Sequence, residues 1–282
     1  MPHAPRGALC ALALLASACS SGAPAAPAPM APDPTAPAPA AATDAPASAD
    51  ASLPARAPFA LVELFTSEGC SSCPPADQTL DELADDAERR GLHVYALSFH
   101  VDYWNSLGWV DPFSRSDHTR RQEAYASLAG ARGLYTPQMI VNGGEGFIGS
   151  DRDRARRDIE RALKAAPASA VPLALRVDAA RPSVRVELEA PGLPPGARLN
   201  VALAERARVQ HVARGENAGR TLRHRNVVRA FETLTPRDPG PLRVDLPAAG
   251  LDPASLLVVA YAQDPATLAV LGAQAAPVPA PR

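Results

Sequence analysis

Two rhythms of apolar and polar positions divide this chain. From about residue 59 to 166, short unbroken apolar runs alternate with segments whose apolar residues recur every three or four positions. Ala60–Phe65 is such a run, suited to a strand buried on both faces. After Pro74-Pro75, Leu80, Leu83, Ala84 and Ala87 share one helical face, while Asp81, Glu82, Asp85 and Asp86 fill the other. Leu92–Phe99 predicts a second strand and Ser116–Arg132 a second helix. Tyr135-Thr136-Pro137 then leads into an apolar strand ending at Asn142-Gly143-Gly144. Phe147-Ile148-Gly149 predicts a short strand, and Ser150–Ala166 a last helix with a Ser150…Asp153 capping pattern. The order is βαβαββα. Beyond Pro167 the rhythm becomes alternation: 173–177, 184–188, 199–203, 227–231, 242–246 and 256–261 read as strands between Pro/Gly-rich turns, with a last hairpin suggested at Asp264–Thr267. Six or seven short strands at that spacing predict a small antiparallel β-sandwich over 169–272.

The length of 282 residues agrees with two domains, 59–168 and 169–272. A net charge of −2 provides no positive field to displace counterions, so a nucleic-acid partner is not expected. Basic residues are 27 Arg and one Lys, a compositional bias from which no function is read. The 31 prolines are unevenly spread: 26 of the 37 residues from Gly22 to Pro58 are Ala or Pro. With little to bury, residues 19–58 are expected to form an extended tether, and 273–282 a frayed tail. Ahead of the tether, Arg6, the apolar stretch Gly7–Ala18 and the small residues Ala16-Ser17-Ala18 have the makeup of a signal peptide over 1–18. Leu15-Ala16-Ser17-Ala18-Cys19 resembles a bacterial lipoprotein signal, with Ala where Leu is usual at −3. That implies a lipid on Cys19, a membrane as partner, and a periplasm-facing location in the cell envelope; otherwise the protein is periplasmic or secreted.

Of four cysteines, Cys10 leaves with the signal and Cys19 starts the tether, so the folded part holds only Cys70 and Cys73. One C-x-x-C pair is not a structural framework, and its small loop has little effect on unfolded-state entropy. Strand, tight loop, C-x-x-C and helix together make a reactive thiol, because free N–H groups and the positive end of the helix dipole favour the thiolate. Pro74 and Pro75 suit a helix beginning near Pro74 with the cysteine pair as a turn before it. Glu68, if close, would disfavour the thiolate. His100, at the end of the second strand, is a candidate proton relay or third metal ligand, or a histidine satisfied by loop backbone. Asp102, Tyr103, Trp104 and Trp109 form a substrate platform or plug their loop onto the domain. The charged face of the last helix suits solvent. The basic connection Arg214–Arg225 either docks on the first domain, binds an anionic partner, or is a solvated hairpin.

The element order, with C-x-x-C after the first strand and a proline opening the third, resembles a thioredoxin-like domain. That resemblance implies a cis Pro137 facing the cysteine pair. More narrowly, Glu63–Asp77, His100-Val101-Asp102-Tyr103-Trp104, Gly108–Phe113 and Tyr135-Thr136-Pro137-Gln138 resemble the DUF1223 family of exported proteins, over most of 59–272. The Ser-Ser pair between the cysteines, the two prolines after them and the lack of a Trp before Cys70 differ from thioredoxin itself. The fold class expected is therefore an α/β thioredoxin-like domain followed by an antiparallel β-sandwich. The function implied is extracytoplasmic thiol–disulfide exchange with a protein or small-molecule disulfide or thiol. In it, Cys70 attacks, Cys73 resolves, and Thr136 and Pro137 position the substrate, with no cofactor and no metal. The alternatives are a non-catalytic envelope binding protein with a loop disulfide, and a copper-binding or delivery module using Cys70, Cys73 and His100.

Overall fold

The apolar run at Ala60–Thr66 forms β1, buried at every position because helices or strands cover both of its faces. A computed structural model describes residues 57–165, 170–236 and 240–280. The signal peptide, Cys19 and all but the last two residues of the tether lie outside the described residues. On one side β1 pairs in parallel with Val94–His100 (β2), from Ala60↔Val94 to Thr66↔His100. On the other it pairs antiparallel with Gln138–Val141 (β3), which in turn pairs with Phe147–Ile148 (β4). Alternate residues of β1 face opposite ways. Ala60, Val62 and Leu64 meet Ala76, Leu80 and Ala84 of the helix Pro74–Arg90 (α1), together with Ala155 and Ile159 of the helix Arg152–Lys164 (α3). Leu61 and Phe65 share the opposite core with Tyr125 of the helix Ser116–Leu128 (α2).

Helix α1 begins at Pro74, with Cys73 at its N-cap, and stops at Gly91 in a left-handed conformation (φ 61°). Helix α3 is capped one residue later than the sequence suggests: Asp151, not Ser150, accepts the N–H of Arg154 at 2.9 Å. Helix α2 ends at Leu128 rather than Arg132, where the chain turns through Gly130 (φ 62°).

The second half differs from the expectation of a separate domain. The strands are Ala174–Ala180 (β5), Ser183–Glu189 (β6), Arg198–His211 (β7), Thr221–Leu234 (β8), Leu242–Pro247 (β9), Leu256–Gln263 (β10) and Val270–Pro277 (β11). Four of them extend the first sheet, giving one eight-stranded sheet in the order β11-β10-β7-β8-β2-β1-β3-β4; β5, β6 and β9 form a second, three-stranded sheet. The two sheets bury Val184, Val186 and Leu188 against Val201, Leu203, Val258 and Ala260, so a sandwich-like core exists, but one of its sheets also carries the cysteine pair. No boundary at 168 divides the described residues, because strands from both sides of it share the eight-stranded sheet. The junction is the short parallel contact Ser98↔Val227, where Asn226, in left-handed conformation (φ 47°), donates its side-chain N–H to the carbonyl of Ala96 at 2.9 Å. The expected frayed tail is also corrected: through Pro277 it is the edge strand β11, paired with β10 from Leu257↔Pro277, and Val278 is buried. Its alanines are small enough to pack onto the core shared by Tyr261 and Phe65.

Candidate active site

Cys70 and Cys73 are joined by a disulfide, with Cα atoms 5.4 Å apart, and neither has accessible surface. Local hydrogen bonding makes the turn: Cys70 N–H donates to Ser67 C=O at 3.1 Å and Cys73 N–H to Cys70 C=O at 3.2 Å. The N–H groups of Ala76 and Asp77 then donate to Cys73 C=O, which opens the helix. Ser71 and Ser72 are exposed, and the Ser72 hydroxyl lies 3.3 Å from Cys70 Sγ.

The Thr136–Pro137 peptide bond is cis, and Pro137 precedes the Gln138↔Phe65 pair at the C-terminal end of β1. Gly149 shows how near Pro137 comes to the helix start: a Cβ there would lie 3.0 Å from Ala76 Cβ and 3.4 Å from Pro137 Cβ. Trp104 links the two loops, since its indole N–H donates to Thr136 Oγ1 at 2.8 Å and its Cβ would stand 3.0 Å from any Cβ added to Gly69. Asp102 ties the loop to α2 by accepting the Thr119 hydroxyl at 2.6 Å. His100 is fully buried and directs Nδ1 at Asp111 Oδ2, 2.7 Å away.

Beneath the cysteine turn lies a buried set of acids and imidazoles that sequence reading does not assemble. Glu68 turns inward, where one carboxylate oxygen accepts the Trp109 indole N–H at 2.8 Å and the other meets His224 Nε2 at 3.0 Å. The opposite nitrogen of His224 is 3.8 Å from Asp77 Oδ2. Asp111 also accepts the Glu68 N–H at 2.8 Å, and the His100 and His224 rings meet edge to face with centroids 4.7 Å apart. Among the described residues, His100 Nε2 and His224 Nδ1 have no hydrogen-bond partner.

These surroundings shift the acids in opposite directions. Burial pushes the Asp77 carboxyl up to about 7; the His224 imidazole and the nearby Thr66 hydroxyl pull it down, while Asp111 and Glu68 repel its charge and push it further up. For Asp111, burial works upward too, but the His100 imidazole and the N–H groups of Glu68 and Phe113 outweigh it and hold the acid below its usual range. Asp77 follows Cys73 by four residues, so the two lie on the same helical face within a turn.

The basic connection resolves in favour of docking. Glu216 Oε2 accepts the Ser71 N–H at 2.9 Å, and Asn217 Nδ2 donates to the carbonyls of Glu68 and Cys70 at 2.8 and 2.9 Å. Asp77, His224, Glu216 and Asn217 were not singled out from the sequence. Asp77 looks like one more acid in an acidic helix, and His224 and Asn217 stand about 150 residues from their partners. Among the described residues, no group of three or more His, Cys, Asp or Glu side chains is arranged to hold a metal ion. No helix among them is long and apolar enough to cross a membrane.

Comparison with known proteins gives one structural relative: the crystal structure of an Agrobacterium tumefaciens protein solved by structural genomics. It is 29% identical, spans 78% of this chain and 94% of its own, and has a TM-score of 0.57. No curated protein matches significantly. A family model described as "Protein of unknown function (DUF1223)" matches residues 61–263, the span that contains the cysteine turn, the cis-proline loop, both tryptophans and the β7–β8 connection. The chain belongs to the DUF1223 family.

Proposed function

We propose that this protein is a thiol–disulfide oxidoreductase with a thioredoxin-like arrangement of β1, α1, β2, β3 and the cis-proline loop. In this reading it acts outside the cytoplasm, tethered through a lipid on Cys19. The observation that carries the reading is the Cys70–Cys73 pair at the N-terminus of α1, beside the cis Thr136–Pro137 loop. In the dithiol form, the Cys70 thiolate attacks one sulfur of a substrate disulfide and expels the other as a thiolate. The Cys73 thiolate then attacks Cys70 Sγ in the mixed disulfide, releasing the second substrate thiolate and closing Cys70–Cys73. Two electrons pass from protein to substrate, and the reverse sequence oxidises a substrate dithiol. Asp77, near neutrality and one turn along the helix from Cys73, is suited to hold the proton that Cys73 gives up. Thr136 and Pro137 offer the substrate backbone a place beside the pair.

The test is a trap. Cys73→Ala, expressed in its native envelope, is expected to accumulate disulfide-linked adducts that vanish on reduction and are absent from the Cys70→Ala, Cys73→Ala double variant. Absence of adducts, with the protein present and folded, would overturn the proposal. It would favour the second reading, a binding protein whose disulfide shapes a loop, which the complete burial of both cysteines supports. Copper delivery is less well supported, since both sulfurs are joined to each other and His100 is committed to Asp111.

A further inference from the structure

We propose that the tip of the β7–β8 hairpin is a strap that holds the disulfide turn shut, with Asn217 and Glu216 as positioning residues for Cys70. The inference concerns regulation of the site in the oxidoreductase reading and rests on that reading for its purpose. Its physical content, control of access to Cys70, stands on the geometry.

Exchange requires a thiolate to approach a sulfur in line with the S–S bond. Neither cysteine has accessible surface, so the turn must open before any external thiol can react. The strap bonds flank Cys70 along the backbone, before and after it. Asn217 Nδ2 donates to the Glu68 carbonyl at 2.8 Å and to the Cys70 carbonyl at 2.9 Å, and Glu216 accepts the Ser71 N–H at 2.9 Å. Asn217 is itself fully buried, and its amide is oriented, because Oδ1 accepts Arg220 Nη1 at 2.8 Å. Gly215 (φ 77°) lets the tip run close to the tryptophan loop; a Cβ there would lie 3.0 Å from Trp109 Cβ.

The strap is also light. From His211 to Arg220 only Val212 and Asn217 are buried, so the tip is held down by a few polar bonds rather than an apolar core. Such a segment can open locally without unfolding the sheet that carries it. The Ser71 hydroxyl and backbone N–H hold the Glu216 carboxyl below its usual range, which favours the charged form that accepts the amide bond.

The test is the rate at which dithiothreitol reduces the oxidised full-length protein. One dithiothreitol dithiol gives two electrons and two protons to Cys70–Cys73, leaving its own cyclic disulfide and two protein thiols, counted as two added alkyl groups by mass. Asn217→Ala is expected to speed reduction by about tenfold or more, and Glu216→Gln by a few-fold, since each removes or weakens a bond that opening must break. Melting temperature and amide exchange in β1 and α1 are expected to stay at wild-type values, while the Ser71 amide exchanges faster. Wild-type reduction rates in both variants would overturn the strap, and so would acceleration matched by faster exchange throughout β1, since unfolding would then explain it. Glu216 is exposed, so its variant remains a fair test if Asn217→Ala folds poorly. Dithiothreitol needs no physiological partner, so failure here and failure of the envelope trap are separate results.

Discussion

Two buried polar clusters meet β1, and they are built in opposite ways. Near the middle of the strand, Glu63 is enclosed with Arg121, whose Nε and Nη2 reach it at 2.5 and 3.0 Å. The Tyr125 and Tyr261 hydroxyls bond the same carboxylate, and the guanidinium lies 5.1–5.6 Å from the rings of Phe99, Tyr125, Phe231 and Tyr261. Opposite charges cancel, and none of these side-chain polar atoms lacks a partner. At the C-terminal end, the Glu68, Asp77, Asp111, His100 and His224 cluster gathers three acids around two imidazoles and leaves nitrogens unpaired. A satisfied network rigidifies, whereas a buried one left partly unpaired costs stability and is the kind of setting in which functional sites are found. The first cluster ties α2 and β10 to β1; the second lies below the disulfide.

That contrast is open to direct test, beginning with the larger effect. Arg121→Met leaves the Glu63 charge buried without its counter-ion and should destabilise the fold by about 3–5 kcal/mol in denaturant unfolding. A loss below about 1 kcal/mol would mean that the cluster is not the clamp described. The second test uses pH. Asp77 is raised from 3.8 to about 7 in the folded protein, so between those values the native state binds a proton that the unfolded chain lacks, and stability falls as pH rises. His118, buried with Nδ1 donating to the His100 carbonyl, is lowered from 6.5 to about 3, so there the unfolded chain binds the extra proton and stability rises with pH. The two slopes oppose each other across about pH 4 to 6.5. Asp77→Asn should therefore unmask a rise in stability with pH over that window, and His118→Asn a fall, each on the order of a few kcal/mol. Identical pH profiles for the two variants would refute the assignment. The smallest effect belongs to Tyr261→Phe, which removes only the 3.3 Å bond to Glu63 and should shift stability by less than about 1 kcal/mol. A larger loss would show that Glu63 depends on all of its partners.

How much of this was legible in the sequence follows the range of each interaction. The buried strand β1, the helix opened by Pro74, and the pair Cys70 and Cys73 in the turn before it are written in adjacent residues. Trp104 and Asp102 are visible as loop residues on the right edge, but that they bond Thr136 and Thr119 is not. The strands beyond residue 170 were readable by alternation. Alternation predicts only five residues of each of β7 and β8, yet each runs for 14, because their outer parts are mostly polar and charged residues that look like loop. A separate second domain is what alternation alone suggests, and the shared eight-stranded sheet replaces it. Alternation shows that a strand has two faces; it is silent on which edge the strand joins.

By itself, the sequence determined local chemistry: a two-cysteine turn at a helix start, a proline opening β3, and strands set by apolar rhythm, all of which depend on neighbours a few residues apart. Tertiary structure alone decided that β8 would join β2 through Ser98↔Val227, and so carry His224 beneath the cysteine turn while the hairpin tip placed Asn217 on it. The physical reason is that sheet-edge pairing depends on backbone hydrogen bonds, which are nearly blind to side-chain identity. Its outcome is fixed only when the whole core packs.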